Sequence, residues 1–233
     1  MNYFAHGCEF VDDPYFLAGT AVPDWLNVVD RRVRVRARAA ESLLAESPLD
    51  SRQADVARGV LQHCRDDAWF HESRAFAELS LDFCRRLRDV LPADDGFRPH
   101  FLGHILVEIL LDAALVADDP ARLVAYYRAI NQLDGQVVQA AVNRMAARRT
   151  ERLGHFILLF SRERFLWDYA DDGKLLFRLN QVMARVGLPR LPAETAGIFP
   201  AARALVGERK HELLAARTQP AGSGPANSPE MQP

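Results

Sequence analysis

The stretch HFLGHILVEILLD places His100, His104, Glu108 and Asp112 at i, i+4, i+8 and i+12. At 3.6 residues per turn, these four polar groups share one slowly drifting stripe of an otherwise apolar helix. A second segment, HCRDDAWFH, repeats the spacing with His63, Asp67 and His71. Two such helices packed face to face would bring imidazole nitrogens and carboxylate oxygens together, the donor set that a divalent cation takes from adjacent helices. Thiolate is missing from both stripes, which speaks against a structural zinc of the cysteine type. Mixed nitrogen and oxygen ligation fits Mn²⁺, Fe²⁺, Mg²⁺ or Zn²⁺ with a position kept open for water. One histidine on an apolar helix is more often a hydrogen-bonded core residue. Two stripes argue for a cation, because several buried imidazoles and carboxylates are costly to satisfy without one.

Helices must carry these stripes, and helical periodicity runs through the chain with no convincing apolar/polar alternation between hairpin turns. The expected fold is all-α: a single multi-helix domain over residues 1–217, followed by a disordered tail at 218–233 whose Pro, Gly, Ser and Asn content cannot bury a core. Pro14, Gly19 and Pro23 predict a short helix and a turn that puts Asp24 at or near a helix start. RRVRVRARAAESLLAES predicts one helix, and Ser51 to about Leu91 two helices broken around Phe70 to Ser73. GQVVQAAVNRMAARRTERLGHFILLFSRERFLWDYA reads as one further helical block.

The 233 residues are 49% hydrophobic and 26% charged, enough apolar material for a large core. A net charge of −2 speaks against a general nucleic-acid binder. No apolar run approaches the ~18 residues of a membrane span, and the opening MNYFAHGCEF has neither a basic nor an apolar leader region, so a cytoplasmic address is expected. Cys8, Cys64 and Cys84 form no CxxC pair and are expected to be reduced core or near-core residues.

In chain order, several motifs resemble the acyl carrier protein phosphodiesterases, all-α enzymes with a metal site like that of HD domains. MNYFAH is similar to that family's opening, which implies His6 as a ligand. GTAVPD matches its Gly and Asp at Gly19 and Asp24, with Thr20 in place of Asn. GVLQHCRDDAWFH matches at His63, Arg65 and Asp67, with His71 in place of Asp. PHFLGH matches at His100, Phe101 and Leu102, with Pro99 in place of Asp, and FLWDYADDGKLLFRLNQVMARV resembles its later segment at Trp167, Met183 and Arg185. His104, Glu108 and Asp112 are positioned to compensate for the departures. The pair of His100 and His104 with Glu108 also resembles, more faintly, the zinc-dependent phospholipase C proteins.

The resemblance implies a metal-dependent phosphodiester hydrolase, acting on holo-acyl carrier protein or a related anionic diester. The expected ligands are His6, Asp24, His63, Asp67, His71, His100, His104 and Glu108, with Asp24 and Asp67 as catalytic carboxylates and Asp24 as bridging ligand or general base. Arg31, Arg34 and Arg36, within a run that includes Arg32 and Arg38, form either a solvated helix face or a dock for an anionic partner. Arg65 either meets substrate or pairs with an acidic neighbour. A phospholipase-like hydrolase and a non-catalytic helical metal-binding protein are the other two readings.

Overall fold

The computed structural model describes residues 1–93 and 96–215; the tail expected at 218–233 lies outside the described residues. Its helices are α1 (Tyr3–Gly7), α2 (Pro14–Val29), α3 (Ala37–Leu44), α4 (Ser51–Glu72), α5 (Arg74–Val90), α6 (Pro99–Asp118), α7 (Pro120–Asn131), α8 (Gly135–Met145), α9 (Leu153–Glu163), α10 (Asp172–Val186) and α11 (Phe199–Leu213). Short 3₁₀ turns lie at Cys8–Phe10, Phe165–Ala170 and Ala193–Ile198. No strand occurs among the described residues, so the all-α expectation holds.

Local chemistry sets most of the boundaries. Asp13 accepts from the Phe16 amide ahead of Pro14, and Asp50, Ser73, Asp119, Asp134 and Asp171 cap α4, α5, α7, α8 and α10 in the same way. Ser73 thereby fixes the expected break between α4 and α5. Gly187, at φ 72°, ends α10 in the left-handed conformation that a glycine adopts without strain.

Three sequence expectations change. Asp24 lies inside α2, whose start is at Pro14, because the Asp13 cap and Pro14 nucleate the helix earlier than Pro23 suggested. The arginine run is not helical before Ala37: Val33 is buried while Arg32, Arg34 and Arg36 are exposed, an in-and-out alternation that suits extended chain. The block from Gly135 to Ala170 divides into α8, α9 and a 3₁₀ turn, with Asn143 bonding the Thr150 backbone across the connection.

One hydrophobic core runs through the helices, with Phe4, Trp25, Phe70, Phe83, Tyr126, Tyr127, Phe160 and Phe199 all fully buried. By length and composition α6 is apolar enough to cross a membrane, contrary to the sequence expectation; in the fold it packs against α5, α11 and α1, and 56% of its apolar window is buried. The closest helix crossing is α2 on α4, where two glycines meet. A Cβ on Gly59 would lie 2.1 Å from the Phe16 carbonyl oxygen, and one on Gly19 would lie 2.2 Å from that of Val56. Backbone-to-backbone contact at this point sets His63, one turn beyond Gly59, against the α2 segment that carries Thr20 and Asp24.

Candidate metal centre

Three elements build the inner group. Helix α1 supplies His6, α2 supplies Asp24, and α4 supplies His63 with Asp66 and Asp67. Helix α1 has no side-chain cap of its own; Asp112 of α6 caps it from across the fold, accepting from the Phe4 amide at 3.1 Å and the Ala5 amide at 2.7 Å. The Asn2 side chain adds a third hydrogen bond to Asp112 at 2.8 Å. Burial pushes the Asp112 carboxyl up to about 7 against these hydrogen bonds, which lower it. This cap seats His6 in the core, where its ring stacks on that of His63 with centroids 4.0 Å apart.

Each imidazole is oriented through Nδ1. His63 Nδ1 lies 2.8 Å from the Thr20 carbonyl oxygen, and His6 Nδ1 lies 3.4 Å from the Asp66 carboxylate. A carbonyl oxygen only accepts, so His63 Nδ1 carries a proton, and its Nε2 is directed elsewhere. Both Nε2 atoms converge on Asp67, at 3.2 Å from His6 and 3.3 Å from His63. Oxygens that fix a histidine through one nitrogen and leave the other to face a site are the usual support of a metal-ligating imidazole.

Asp24 completes this group: one carboxylate oxygen and the His6 and His63 nitrogens lie within 4.8 Å of one another. Asp24 Oδ2 is buried and has no hydrogen-bond partner. A buried carboxylate oxygen without a donor is costly, and a cation would satisfy it. Burial raises the Asp24 carboxyl, against the lowering pull of His63, His6 and the terminal ammonium. Asp67 goes the other way: burial works to raise it, but the two imidazoles and the ammonium outweigh that and hold it far below the carboxylate range. For His63, burial lowers the affinity for a proton, while Asp67 and Asp24 raise it and prevail.

A second group lies nearer to solvent. His71 of α4 and His104 of α6 both direct Nε2 at Glu108 Oε1, at 3.0 and 3.2 Å, and their rings stack at 4.9 Å. Their side chains are 33% and 42% exposed. Burial would raise the Glu108 carboxyl; the terminal ammonium and both imidazoles hold it well below its ordinary range instead. The Met1 ammonium joins the groups, 2.8 Å from Asp67 and 3.4 Å from Glu108. Either group could hold a metal ion, and the donor set of imidazole nitrogen and carboxylate oxygen fits the intermediate and hard cations expected from the sequence.

The two stripes therefore divide. On α4, His63 and Asp67 serve the inner group and His71 the outer one. On α6, His104 and Glu108 join the outer group and Asp112 caps α1. His100 stands in neither: it is exposed, with Nε2 3.2 Å from Arg88 Nη2, because the drift of the stripe carries the first turn of α6 out of the packed face. Arg65 is exposed on the side of α4 away from His63 and reaches neither group. Asp66, which orients His6, was missed in the sequence; its signal was the adjacent pair Asp66–Asp67, of which one member must point off the stripe.

Two spaces meet the inner group. An outer cleft is lined by Asp24, His63 and Asp67 together with Arg34 and Cys64. A chamber of about 450 Å³ shares Asp24 and Asn27 with this cleft and is lined further by Glu108 and mostly aromatic and aliphatic side chains, with Arg31 and Arg185 among its exposed residues. The arginine run is thus split. Arg31 donates to the Arg185 carbonyl at 2.9 Å beside the chamber, Arg34 bonds Asn27 at the outer cleft, and Arg36 lines a separate cleft with Arg32, Arg34 and Arg148. Cys84 is buried and Cys8 and Cys64 are half-buried. In comparisons with protein-family models, curated proteins and solved structures, nothing matches the chain.

Proposed function

We propose that this chain is a metal-dependent phosphodiester hydrolase of the kind its motifs resemble, with its cation held by His6, Asp24, His63 and Asp67. The observation that carries the reading is the convergence of two Nδ1-anchored imidazoles on Asp67, beside a buried Asp24 oxygen that lacks a partner. A divalent cation bound there would polarise a phosphoryl oxygen and make water more acidic. Candidates are Zn²⁺, Mn²⁺, Fe²⁺ and Mg²⁺.

The protein's own groups then have separate tasks. Asp67 remains an anion, and its oxygens face the cation together with the two Nε2 atoms. Asp24, whose carboxyl is raised by burial, is the better proton acceptor of the two. As the water oxygen bonds phosphorus and the P–O bond to the alcohol breaks, one water proton passes to the Asp24 oxygen not engaged by the cation and from there to the departing oxygen. Arg34, at the outer cleft, meets the anionic substrate from the solvent side. Holo-acyl carrier protein is one such substrate, since its phosphopantetheine is attached through a phosphodiester.

The test joins metal analysis to turnover. Purified protein is expected to carry close to one equivalent of a divalent cation in the inner group, and to cleave bis(p-nitrophenyl) phosphate or to release phosphopantetheine from holo-acyl carrier protein, followed by intact mass. His6→Ala and His63→Ala should each remove the cation and the turnover. Bound metal with neither substrate cleaved, under supplementation with each of the four cations, would leave a non-catalytic metal-binding protein instead.

A further inference from the structure

We infer that, among anionic phosphodiesters, those carrying a single long alkyl or acyl chain bind this site best, and that the chamber beside Asp24 holds that chain. The inference rests on the reading of the inner group as a hydrolytic centre, and it goes further by naming the class of molecule. The chamber, about 450 Å³, falls within the range of ~300–1,000 Å³ typical of small-molecule sites. Its lining contains one member of each ligand group, Asp24 and Glu108, so its apolar wall begins where the metal ligands end.

A centre acting only on small polar diesters has no use for such a wall, because burying a polar substituent against it would strip water without replacement. An alkyl chain gains from the same wall. The chamber also opens to solvent past an apolar rim: Leu159 and Val186 line it and are 42% and 37% exposed. Arg31, Arg178 and Arg185 in the lining are matched by Asp24, Glu108 and Glu163, so the preference for an anionic over a cationic amphiphile comes from the divalent cation of the metal-loaded inner group beside the chamber. The phosphodiester then sits at Asp24 with its chain in the chamber, while its polar substituent leaves through the outer cleft past Arg34.

Binding is measured on the full chain, both metal-loaded and EDTA-treated, by displacement of 1-anilinonaphthalene-8-sulfonate with hexyl, octyl, decyl and dodecyl phosphate below their micelle concentrations, and with dodecyltrimethylammonium. Affinity is expected to rise by up to about fourfold per methylene along the phosphate series, and dodecyl phosphate should exceed the ammonium compound at least tenfold. Val182→Trp places an indole in the chamber and should weaken dodecyl phosphate at least tenfold while changing hexyl phosphate less than threefold. Ile105→Phe, a smaller intrusion, replaces it if the first variant loses its thermal transition. Affinity that does not depend on chain length, or that both folded variants leave unchanged, overturns the inference. If bis(p-nitrophenyl) phosphate is hydrolysed but alkyl phosphates do not bind, the chain chamber falls and the hydrolase reading survives. If alkyl phosphates bind with the expected chain dependence and no diester is cleaved, the chamber stands as a ligand site and the hydrolase reading falls.

Discussion

The Nδ1 of His63 and the carbonyl oxygen of Thr20, 43 residues apart in sequence, lie 2.8 Å apart across the α2–α4 crossing. That single bond fixes the tautomer of a neutral His63 and turns its Nε2 toward Asp67 and the inner group. It exists because two glycines let the helices approach to backbone contact one turn earlier.

Gly59→Ala tests this dependence. Its new Cβ would fall 2.1 Å from the Phe16 carbonyl and 2.8 Å from Gly19 Cα, neither of which is the movable end of a side chain. Separating the helices should cost about 3 kcal/mol, the upper part of the overpacking range, and should lower metal affinity as His63 withdraws from Asp24. Urea unfolding and metal titration of the variant check both; native stability with native metal affinity would show that the crossing does not position the site.

Asp66→Asn keeps shape and removes the charge that faces His6 Nδ1. Metal affinity should fall about 10- to 100-fold, the usual result of losing an outer partner of a ligating histidine, with stoichiometry unchanged at saturation. Competition with a chromogenic chelator reads the difference. His100→Ala, by contrast, should leave metal content as it is, since among the described residues His100 faces Arg88 on the exposed side of α6 and belongs to neither group.

Asp112→Ala removes the tertiary cap of α1 and leaves the Phe4 and Ala5 amides buried without an acceptor. Two buried amides left without an acceptor predict a destabilisation of about 3 kcal/mol, read by urea unfolding. Because His6 follows within the same short helix, the inner group should lose metal before the protein unfolds.

The EDTA-treated protein should be most stable at about pH 4 and lose stability as pH rises from there. Glu108 and Asp67 have folded pKa values below their ordinary 4.5 and 3.8, so their contribution is present above those values and lost as pH falls through the folded ones. His63 is raised above 6.5, so its contribution is fully present below that and lost as pH rises through its folded value. Asp112, raised to about 7, and Asp24, also raised, contribute fully below 3.8 and lose that contribution as pH rises from there through their folded values, since burial disfavours their anions. Urea midpoints measured across the range report the profile; a flat curve from about pH 5 to 9 would show that these ion pairs contribute nothing.

The sequence by itself determined the helical class, the break at Ser73, and the presence of two stripes of imidazole and carboxylate, because capping chemistry and a 3.6-residue period are local properties of the chain. It could not say how far each stripe stays in the packed face. Along α6 the polar residues pass from solvent at His100, through a half-open group at His104 and Glu108, to a buried helix cap at Asp112, so residues of one spacing have three different tasks. That division is decided by what packs against each turn, and α1, α4 and α5 arrive from elsewhere in the sequence. The arginine run shows the same limit: its composition suited a helix, and the burial of Val33 against the core made it extended. Asp24 and His6 lie on neither stripe and were legible only through the motif resemblance. They meet His63 only because a glycine contact draws α2 onto α4 and an aspartate of α6 anchors α1, both of them long-range contacts that no local pattern encodes.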